Sequence, residues 1–246
     1  MTRISLLGVP LDALTREQAI EILLSFLREE RQKHVMTPNS EMLVEAARHP
    51  LFRALLQRSN LNLPDSVGLL WMARWTEQEI PERITGVDTV TALCSRLTAD
   101  CPVFLLGAQE GVAERAAEVL RRKNPQLQIA GTYAGSPKEE DAPAIIEQIN
   151  AASPLLLLVA YGAPQQDLWI AEHLKELPGV RVAMGVGGTF DFLAGVTPRA
   201  PLWMQRMGLE WLWRLFREPR RIGRIWNAVV VFPLLVLRHG REGKTL

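Results

Sequence analysis

The chain has 246 residues, of which 48% are hydrophobic and 22% are charged. This composition is ordinary for a globular protein, and the length allows one large α/β domain or two small ones. Glutamates in the first helical pattern argue against an N-terminal signal peptide. The longest apolar run, residues 228–237, is ten residues long and falls short of the roughly 20 residues that span a bilayer. Cys94 and Cys101 form no metal-binding pattern, so we expect reduced thiols and a cytoplasmic protein.

The charge is unevenly distributed along the chain. From Gly195 onward there are nine Arg and one Lys against three Glu, whereas the preceding 194 residues have a net charge of −6. A basic tail on an acidic body indicates an anionic partner for the tail. The acidic body and the lack of a recognised motif argue against nucleic acid as that partner.

The first third of the chain alternates short apolar strands with amphipathic helices. Thr15 is placed to cap the first helix, and Asn39 or Ser40 to cap the second. In chain order we predict a strand at 4–9 with a turn at 10–12, a helix at 16–30, a strand at 34–36, a helix from 40 to about 57, a strand at 61–63 and a helix from 66 to 75.

The same alternation continues through the rest of the body. A loop at 81–88 leads into a helix that ends near residue 100. The fully apolar run at 155–160 is typical of a central parallel strand. The remaining predicted elements are strands at 102–107, 128–133, 155–160 and 180–186, and helices at 111–123, at 138–151 and from Pro164.

This order of elements predicts an α/β fold with a largely parallel sheet covered by helices on both faces. Right-handed crossovers place the loops that follow the strands along one edge of the sheet, which we call the rim. The residues expected at the rim are Thr37, Asn39, Asp65, Gly107, Gly162, Gln166, Gly187 and Asp191.

One short stretch, residues 61–68, has the pattern of a strand that ends directly before a carboxylate residue. Two leucines alternate with Asn62 as in a strand, and Pro64 ends that strand because it has no N–H to donate. Asp65 then lies at the carboxyl end of the strand, where open α/β sheets bind their ligands. Two interpretations stay open: a catalytic carboxylate, or a cap for the helix that follows.

Glycines at the strand ends let a ligand approach backbone N–H groups, which favours a phosphate-bearing ligand. The sequence has no Walker-type phosphate loop, and Phe190 stands where a dinucleotide-binding motif has its third glycine. It also has no D-x-D pair to hold a divalent metal. We therefore expect neither metal nor cofactor, and N–H groups or arginines must stabilise a leaving diphosphate.

The basic tail predicts a helix from residue 201 to about 217, which Pro219 restarts or kinks. Its arginines are spaced to share one face of a roughly continuous helix, with aromatic and apolar residues opposite. Such helices lie at membrane surfaces, and arginine binds phosphate well. The alternatives are a helix docked on the body, or contact with another subunit in a homo-oligomer. The arginines assigned to a lipid diphosphate are Arg214, Arg217, Arg221 and Arg224.

Several segments, in order over residues 4–226, together resemble the bacterial WecG/TagA/CpsF glycosyltransferase family. The segments are 37–41 (TPNSE), 63–65 (LPD), 82–88 (ERITGVD), 104–107 (FLLG), 162–167 (GAPQQD), 185–195 (GVGGTFDFLAG), 199–201 (RAP) and 209–219 (LEWLWRLFREP).

The resemblance implies a Rossmann-like body, 1–194, and a C-terminal helical appendage, 195–246, that closes over the site at the membrane. It implies inverting, metal-independent transfer of a sugar from a UDP donor to a polyprenyl-diphosphate-linked sugar. Asp65 falls on the proposed base, and Thr37, Asn39, Arg83 and Gln166 fall on active-site positions. N-acetylmannosamine, its uronic acid and glucose are the donor sugars it leaves open.

The chain departs from the family pattern at two places. Ser66 follows Asp65 where the family usually has glycine, and Gln165-Gln166-Asp167 replaces the usual Lys-Gln-Glu. Two rival functions also stay open: a non-catalytic nucleotide-sugar-binding module at the membrane, and a UDP-sugar hydrolase in which Asp65 activates water.

Overall fold

The computed structural model of the protein describes residues 2–217 and 221–242. Its strands are β1 (Arg3–Leu6), β2 (Val9–Asp12), β3 (Lys33–Met36), β4 (Leu61–Asn62), β5 (Val103–Gly107), β6 (Ile129–Tyr133), β7 (Leu156–Ala160) and β8 (Val182–Gly185). The last six form one parallel sheet in the order β4-β3-β8-β7-β5-β6.

Helices connect these strands and continue beyond the last of them. They are α1 (Arg16–Arg28), α2 (Ser40–Arg48), α3 (Pro50–Arg58), α4 (Val67–Trp75), α5 (Gly86–Cys94), α6 (Val112–Lys123), α7 (Ala142–Ala152), α8 (Gln165–His173), α9 (Thr189–Leu193), α10 (Leu202–Arg206), α11 (Glu210–Arg217), α12 (Ile222–Trp226) and α13 (Phe232–His239). A π-helical turn, Asn227–Val231, joins α12 to α13.

Both faces of the sheet are covered, as a parallel sheet requires. Every residue of β7 and β8 is buried, which confirms the central position predicted for 155–160. Helices α1, α5, α6 and α9 pack on one face, in a core that includes Val35, Leu158 and Met184. Helices α7 and α8 cover part of the other face through Leu157 and Val159. The α/β, Rossmann-like architecture expected from the sequence is confirmed.

The N-terminal strand prediction is wrong in its details. Instead of a strand at 4–9 and a turn at 10–12, β1 and β2 form an antiparallel hairpin outside the main sheet. Its two-residue turn is Leu7-Gly8, and both residues have positive φ, 53° and 74°. Two-residue hairpin turns demand this conformation, which leucine rarely adopts, so the sequence carried only a weak signal for the turn.

Two predicted long helices are each broken into two. Residues 40–57 form α2 and α3, because Pro50 occupies the first turn of a new helix. Residues 201–217 form α10 and α11, separated at Gly208, which has φ +73°. A Cβ at Gly208 would lie 2.9 Å from Cγ2 of Val67, so this break also lets the tail approach α4 closely.

The C-terminal helix is longer than the ten-residue apolar run suggested. Residues Ile222–His239 form one 18-residue helix with a mean hydropathy of 1.3, long and apolar enough to cross a membrane. One side packs on the body, where Phe232 and Val236 join a core with α2, α3 and α4. Leu234 and Leu237 on the same helix are exposed. The division of the chain at residue 194 stays a prediction.

Candidate active site

Backbone and side-chain hydrogen bonds join the carboxyl ends of β3, β4 and β8 into one rim. The backbone N–H of Asp65 donates to the carbonyl oxygen of Pro38 at 2.8 Å, which ties the loop after β4 to the loop after β3. The buried hydroxyl of Thr37 donates to the carbonyl oxygen of Gly185 at 3.2 Å, which ties β3 to β8. The structure therefore places Thr37 and Asp65 on two loops that are directly bonded to each other.

The carboxylate of Asp65 lies at the start of α5. Its Oδ2 accepts a hydrogen bond from the backbone N–H of Gly86 at 3.1 Å, and Gly86 is the first residue of that helix. The N-cap residue of α4, the helix that follows Asp65 in the chain, is Ser66. The interpretation of Asp65 as a cap for that helix is therefore wrong. The first backbone N–H of α5 therefore holds the Asp65 carboxylate at the start of that helix.

Ser66, one of the departures from the family pattern, has a structural partner. Its Oγ lies 2.9 Å from Oγ of Ser40 and accepts from the backbone N–H of Ser40 at 3.2 Å. Asn39 caps the same helix, α2, by accepting from the N–H of Met42 at 3.0 Å. The N-cap predicted for Asn39 is confirmed, and its assignment to substrate stays a prediction.

The side chain of Gln166 holds the loop after β8 in place. Its side chain is buried, and its Oε1 accepts from the backbone N–H of Gly187 at 2.9 Å. The neighbouring carboxylate of Asp167 is also buried, with Oδ1 at 3.5 Å from Nε2 of His34. Neither of these two atoms has a hydrogen-bond partner within the described residues. His34 was not predicted to belong to the site, because a single histidine in an apolar strand carries no motif.

The strand-end glycines differ in what surrounds them. A Cβ at Gly107 would lie 2.8 Å from the carbonyl carbon of Ala160, so close packing of β5 on β7 accounts for that glycine. Gly162 and Gly187 have φ of +80° and +52°, and a Cβ at either would meet no atom of the described residues within 4 Å. These two positions combine a conformation that favours glycine with room for a ligand. Asp191 is half-buried in the short helix α9, which follows the same loop as Gly187.

An arginine–carboxylate cluster joins the loop before α5 to the C-terminal helices. Nη1 of Arg83 lies 2.7 Å from Oε2 of Glu210, the first residue of α11. Arg199 pairs with Asp88 through two contacts, Nη1–Oδ1 at 2.7 Å and Nη2–Oδ2 at 3.3 Å. Nε of Arg199 lies 3.9 Å from Oε1 of Glu210, which links the two pairs.

The same cluster connects electrostatically to Asp65. Burial lowers the pKa of Arg199, but the hydrogen bond and charge of Asp88 and the charges of Glu210 and Asp65 raise it above its usual value. Burial likewise raises the pKa of Asp88, but hydrogen bonds from Arg199 and Thr85 and the charge of Arg199 bring it below its usual value. Arg199 is therefore a fixed cation shared by the Asp65 loop and the C-terminal segment.

A cavity of about 340 Å³ lies between the body and the C-terminal segment. One part of its wall is charged and the other is apolar. It is lined by Arg16, Val67, Leu70, Glu82, Arg83, Asp88, Leu202, Gln205 and Gly208. A second cavity, of about 150 Å³, lies near Pro154 and Gly179 at the amino ends of β7 and β8, away from the rim.

The arginines predicted to bind a lipid diphosphate have different surroundings where the structure describes them. The guanidinium of Arg217 lies over the ring of Trp213, 4.9 Å from its centroid. Nε of Arg224 lies 2.6 Å from Oε1 of Glu41, in the first turn of α2 and two residues from Asn39. Arg221 is the residue before α12. The side chain of Arg214, and residues 218–220, lie outside the described residues.

Two observations bear on metals and thiols. Among the residues that the structure describes, no three His, Cys, Asp or Glu side chains are grouped so that they could hold a metal ion. Cys94 and Cys101 are buried free thiols, and burial raises their pKa to about 12 and about 11. Both thiols are therefore protonated at neutral pH, in agreement with the expectation of reduced cysteines.

Comparison with known proteins places the chain in a family. Residues 4–245 match the profile of the glycosyl transferase WecG/TagA/CpsF family. Three relatives share the name N-acetylglucosaminyldiphosphoundecaprenol N-acetyl-beta-D-mannosaminyltransferase. The protein from Bacillus subtilis is 32% identical over 215 residues, which cover 86% of this chain and 81% of the relative.

The second relative, from Bacillus spizizenii, is 31% identical over 221 residues, 88% of this chain and 83% of its own length. The third, from Staphylococcus aureus, is 26% identical over 246 residues, 98% of this chain and 95% of its own length. The family profile covers nearly the whole chain, including the rim and the arginine–carboxylate cluster. The chain belongs to the WecG/TagA/CpsF family and is a glycosyltransferase.

Proposed function

We propose that this glycosyltransferase transfers a sugar from a UDP donor to a sugar carried on a polyprenyl diphosphate, with inversion and without a metal. The observation that supports this best is the placement of Asp65. Its carboxylate is held by the N–H of Gly86 on a rim that also carries Thr37 and the open glycines Gly162 and Gly187. N-acetylmannosamine is the first donor sugar to test, because the relatives are named as mannosaminyltransferases.

In this mechanism an acceptor hydroxyl attacks the anomeric carbon while Asp65 removes its proton. A bond forms from the acceptor oxygen to that carbon, and the bond to the UDP oxygen breaks with inversion. Thr37, on the loop that is hydrogen-bonded to the Asp65 loop, is assigned to positioning the acceptor hydroxyl. The negative charge that develops on the departing diphosphate is stabilised by guanidinium groups and backbone N–H dipoles.

The donor is assigned to the remaining rim residues. The backbone of Gly162 and Gly187 has space for phosphate oxygens, and Gln166 holds Gly187 in place. Asn39, the N-cap residue of α2, and Asp191, in the short helix α9, complete the proposed donor contacts. Gly107 contributes by letting β5 pack closely on β7.

We also propose that the protein binds the inner face of the cytoplasmic membrane through its C-terminal segment. Trp203, Met207 and Phe216 are exposed on α10 and α11 and the turn between them, and Ile222 and Trp226 are exposed on α12. Tryptophan beside arginine is typical of a membrane–water interface. This surface adjoins the cavity through Leu202 and Gln205, so a lipid-linked acceptor has a short path to the rim.

The test is UDP release by the purified protein from a panel of UDP-sugars, with and without polyprenyl-diphosphate-linked N-acetylglucosamine or glucose. Release from one donor only when the lipid is present, and unchanged by EDTA, is the expected result. Release without lipid would instead identify a hydrolase. A folded protein that releases no UDP from any donor would favour the binding-module function.

A further inference from the structure

Glu210 pairs with Arg83, the arginine for which the family resemblance implies an active-site position. Its Oε2 lies 2.7 Å from Nη1 of Arg83, and both side chains are only 21% exposed. Glu210 comes from α11, more than a hundred residues further along the chain, and Arg83 lines the cavity of about 340 Å³. A carboxylate from the C-terminal segment therefore neutralises an arginine on the cavity wall.

Two arginines near this ion pair, Arg199 and Arg16, each have an N–H donor that no described acceptor satisfies. Nε of Arg199 is buried and has no hydrogen-bond partner among the described residues, and it lies 3.9 Å from Oε1 of Glu210. Nε of Arg16, a residue that lines the cavity, is likewise buried with no partner in the part of the chain that the structure describes. Arg16 lies on the cavity wall, and Arg199 is bonded to Asp88, another residue of that wall. Buried N–H groups without acceptors are uncommon, so this pair indicates that an anion with several oxygens belongs beside Asp88 and Arg83.

We infer that Glu210 is a stand-in for a diphosphate: the diphosphate of a substrate displaces it and binds Arg83 and Nε of Arg199 together. This inference rests on the proposed function. A diphosphate carries more charge and more acceptor oxygens than one carboxylate, so it satisfies both guanidinium groups where Glu210 reaches only one closely. Glu210 has a flexible side chain at the start of its helix and leaves by side-chain rotation.

The apolar part of the cavity wall points to the lipid-linked acceptor as the source of this diphosphate. Val67, Leu70 and Leu202 lie on the same cavity as Arg83 and provide a surface for an isoprenoid chain. UDP shares the diphosphate but offers no hydrocarbon for these side chains. The two sources are therefore distinguished by their response to the same substitutions.

The experiment measures dissociation constants by calorimetry for farnesyl diphosphate, UDP and inorganic pyrophosphate, without turnover. In Glu210→Gln the competing carboxylate is removed, and we expect the diphosphate that uses this site to bind about fivefold more tightly than to the wild type. Glu210→Asp keeps the charge but shortens the side chain, and we expect an intermediate effect. Glu118→Gln, an exposed carboxylate on α6, is the matched control and should leave all three constants unchanged.

Tighter binding of farnesyl diphosphate alone assigns the site to the acceptor, and tighter binding of UDP assigns it to the donor. Unchanged or weaker binding of all three probes in both folded Glu210 variants would overturn the inference and leave Glu210 as a structural anchor for α11. The dissociation constants are measured without sugar transfer. A wild-type protein that transfers no sugar would therefore overturn the proposed function, but the comparison of wild type with the Glu210 variants would still test the diphosphate site.

Discussion

The Oδ2 atom of Asp65 and the backbone nitrogen of Gly86 lie 3.1 Å apart, and this hydrogen bond joins the loop after β4 to the start of α5. The partner is a backbone group at the end of a helix that is itself capped, since Oγ1 of Thr85 accepts from the N–H of Asp88. A main-chain group at the start of a capped helix thus helps to fix the position of the carboxylate. A proposed base gains a fixed location from this arrangement.

Gly86 leaves little room for a side chain. A Cβ there would lie 3.2 Å from Oγ1 of Thr189 and 3.8 Å from Oδ2 of Asp65. Thr189 is buried and donates to the carbonyl oxygen of Val186 at 2.6 Å, so it cannot easily move. We expect Gly86→Ala to lower the free energy of unfolding by about 1 kcal/mol and turnover by roughly tenfold, measured by urea unfolding and initial rates.

Gly179 is the matched control for this substitution. A Cβ at Gly179 would make only ordinary contacts, the nearest at 3.7 Å, and this residue lies at the opposite end of the sheet. Gly179→Ala should keep wild-type turnover. Wild-type turnover in Gly86→Ala as well would show that the position of Asp65 is not sensitive to this contact.

Gly185, at the end of β8, supports the loop after that strand. A Cβ at this position would overlap Oδ1 of Asp167 and Nε2 of Gln166, both on buried side chains. We expect Gly185→Ala to lower the free energy of unfolding by about 2–3 kcal/mol, because a packed polar core has no space for a methyl group. Gly188→Ala is the control, because a Cβ there would lie 3.7 Å from Oδ2 of Asp191, which is an ordinary van der Waals contact. Equal stability of the two variants would contradict this packing.

The ion pair between Asp88 and Arg199 predicts a pH dependence. The pKa of Asp88 in the folded protein is below its ordinary value of 3.8. Its stabilising contribution is therefore complete above the pKa of the unfolded chain, about 3.9, and is lost as the pH falls through the folded pKa. We expect the stability difference between wild type and Asp88→Asn to be constant above about pH 5 and to shrink below about pH 4.

Arg199→Gln provides the control for that prediction. Without the guanidinium, the pKa of Asp88 should return towards or above its ordinary value, because burial acts in that direction. Asp88→Asn in the Arg199→Gln background should then lose its pH-dependent effect, or show one of the opposite sign if burial raises the pKa of Asp88 above its ordinary value. A difference that stays constant down to pH 2 in the wild-type background would show that Asp88 is not stabilised as an anion.

The basic tail predicts a dependence on the lipid acceptor. We expect reversal of Arg214 and Arg221 to Glu to lower activity on long-chain lipid acceptors most, because the reversed charges repel anionic lipid and diphosphate. The loss should be tenfold or more, at roughly 1 kcal/mol for each charge near the surface. The matched control reverses Arg115 and Arg122, which are exposed on α6. Unchanged vesicle binding and unchanged activity in the tail variant would remove the tail from this function.

The sequence predicted the sheet because its signal is local. Apolar runs such as 155–160 and the glycines after them mark buried parallel strands whatever the rest of the chain does. The Leu7-Gly8 turn was missed because leucine rarely has positive φ. The break before Pro50 had a signal, since proline favours the first turn of a helix, but the apolar pattern continued across it.

The sequence predicted those site residues that directly follow a strand, but not the ion pairs with the C-terminal helices. Asp65 and Thr37 follow strands, so the parallel order alone placed them together. The pair between Arg83 and Glu210, and the pair between Asp88 and Arg199, each join residues more than a hundred positions apart. No local pattern predicts such partners, because they depend on how the C-terminal helices pack against the body.

The most direct test of the mechanism is the turnover of Asp65→Asn, measured with UDP-sugar binding on the same preparation. The amide oxygen of asparagine can still accept from the N–H of Gly86, so the fold and donor binding should be retained while the base is lost. We predict a fall in kcat of about 10²-fold or more with a nearly unchanged dissociation constant for the donor. Near-wild-type turnover in Asp65→Asn would contradict the role of Asp65 as the base.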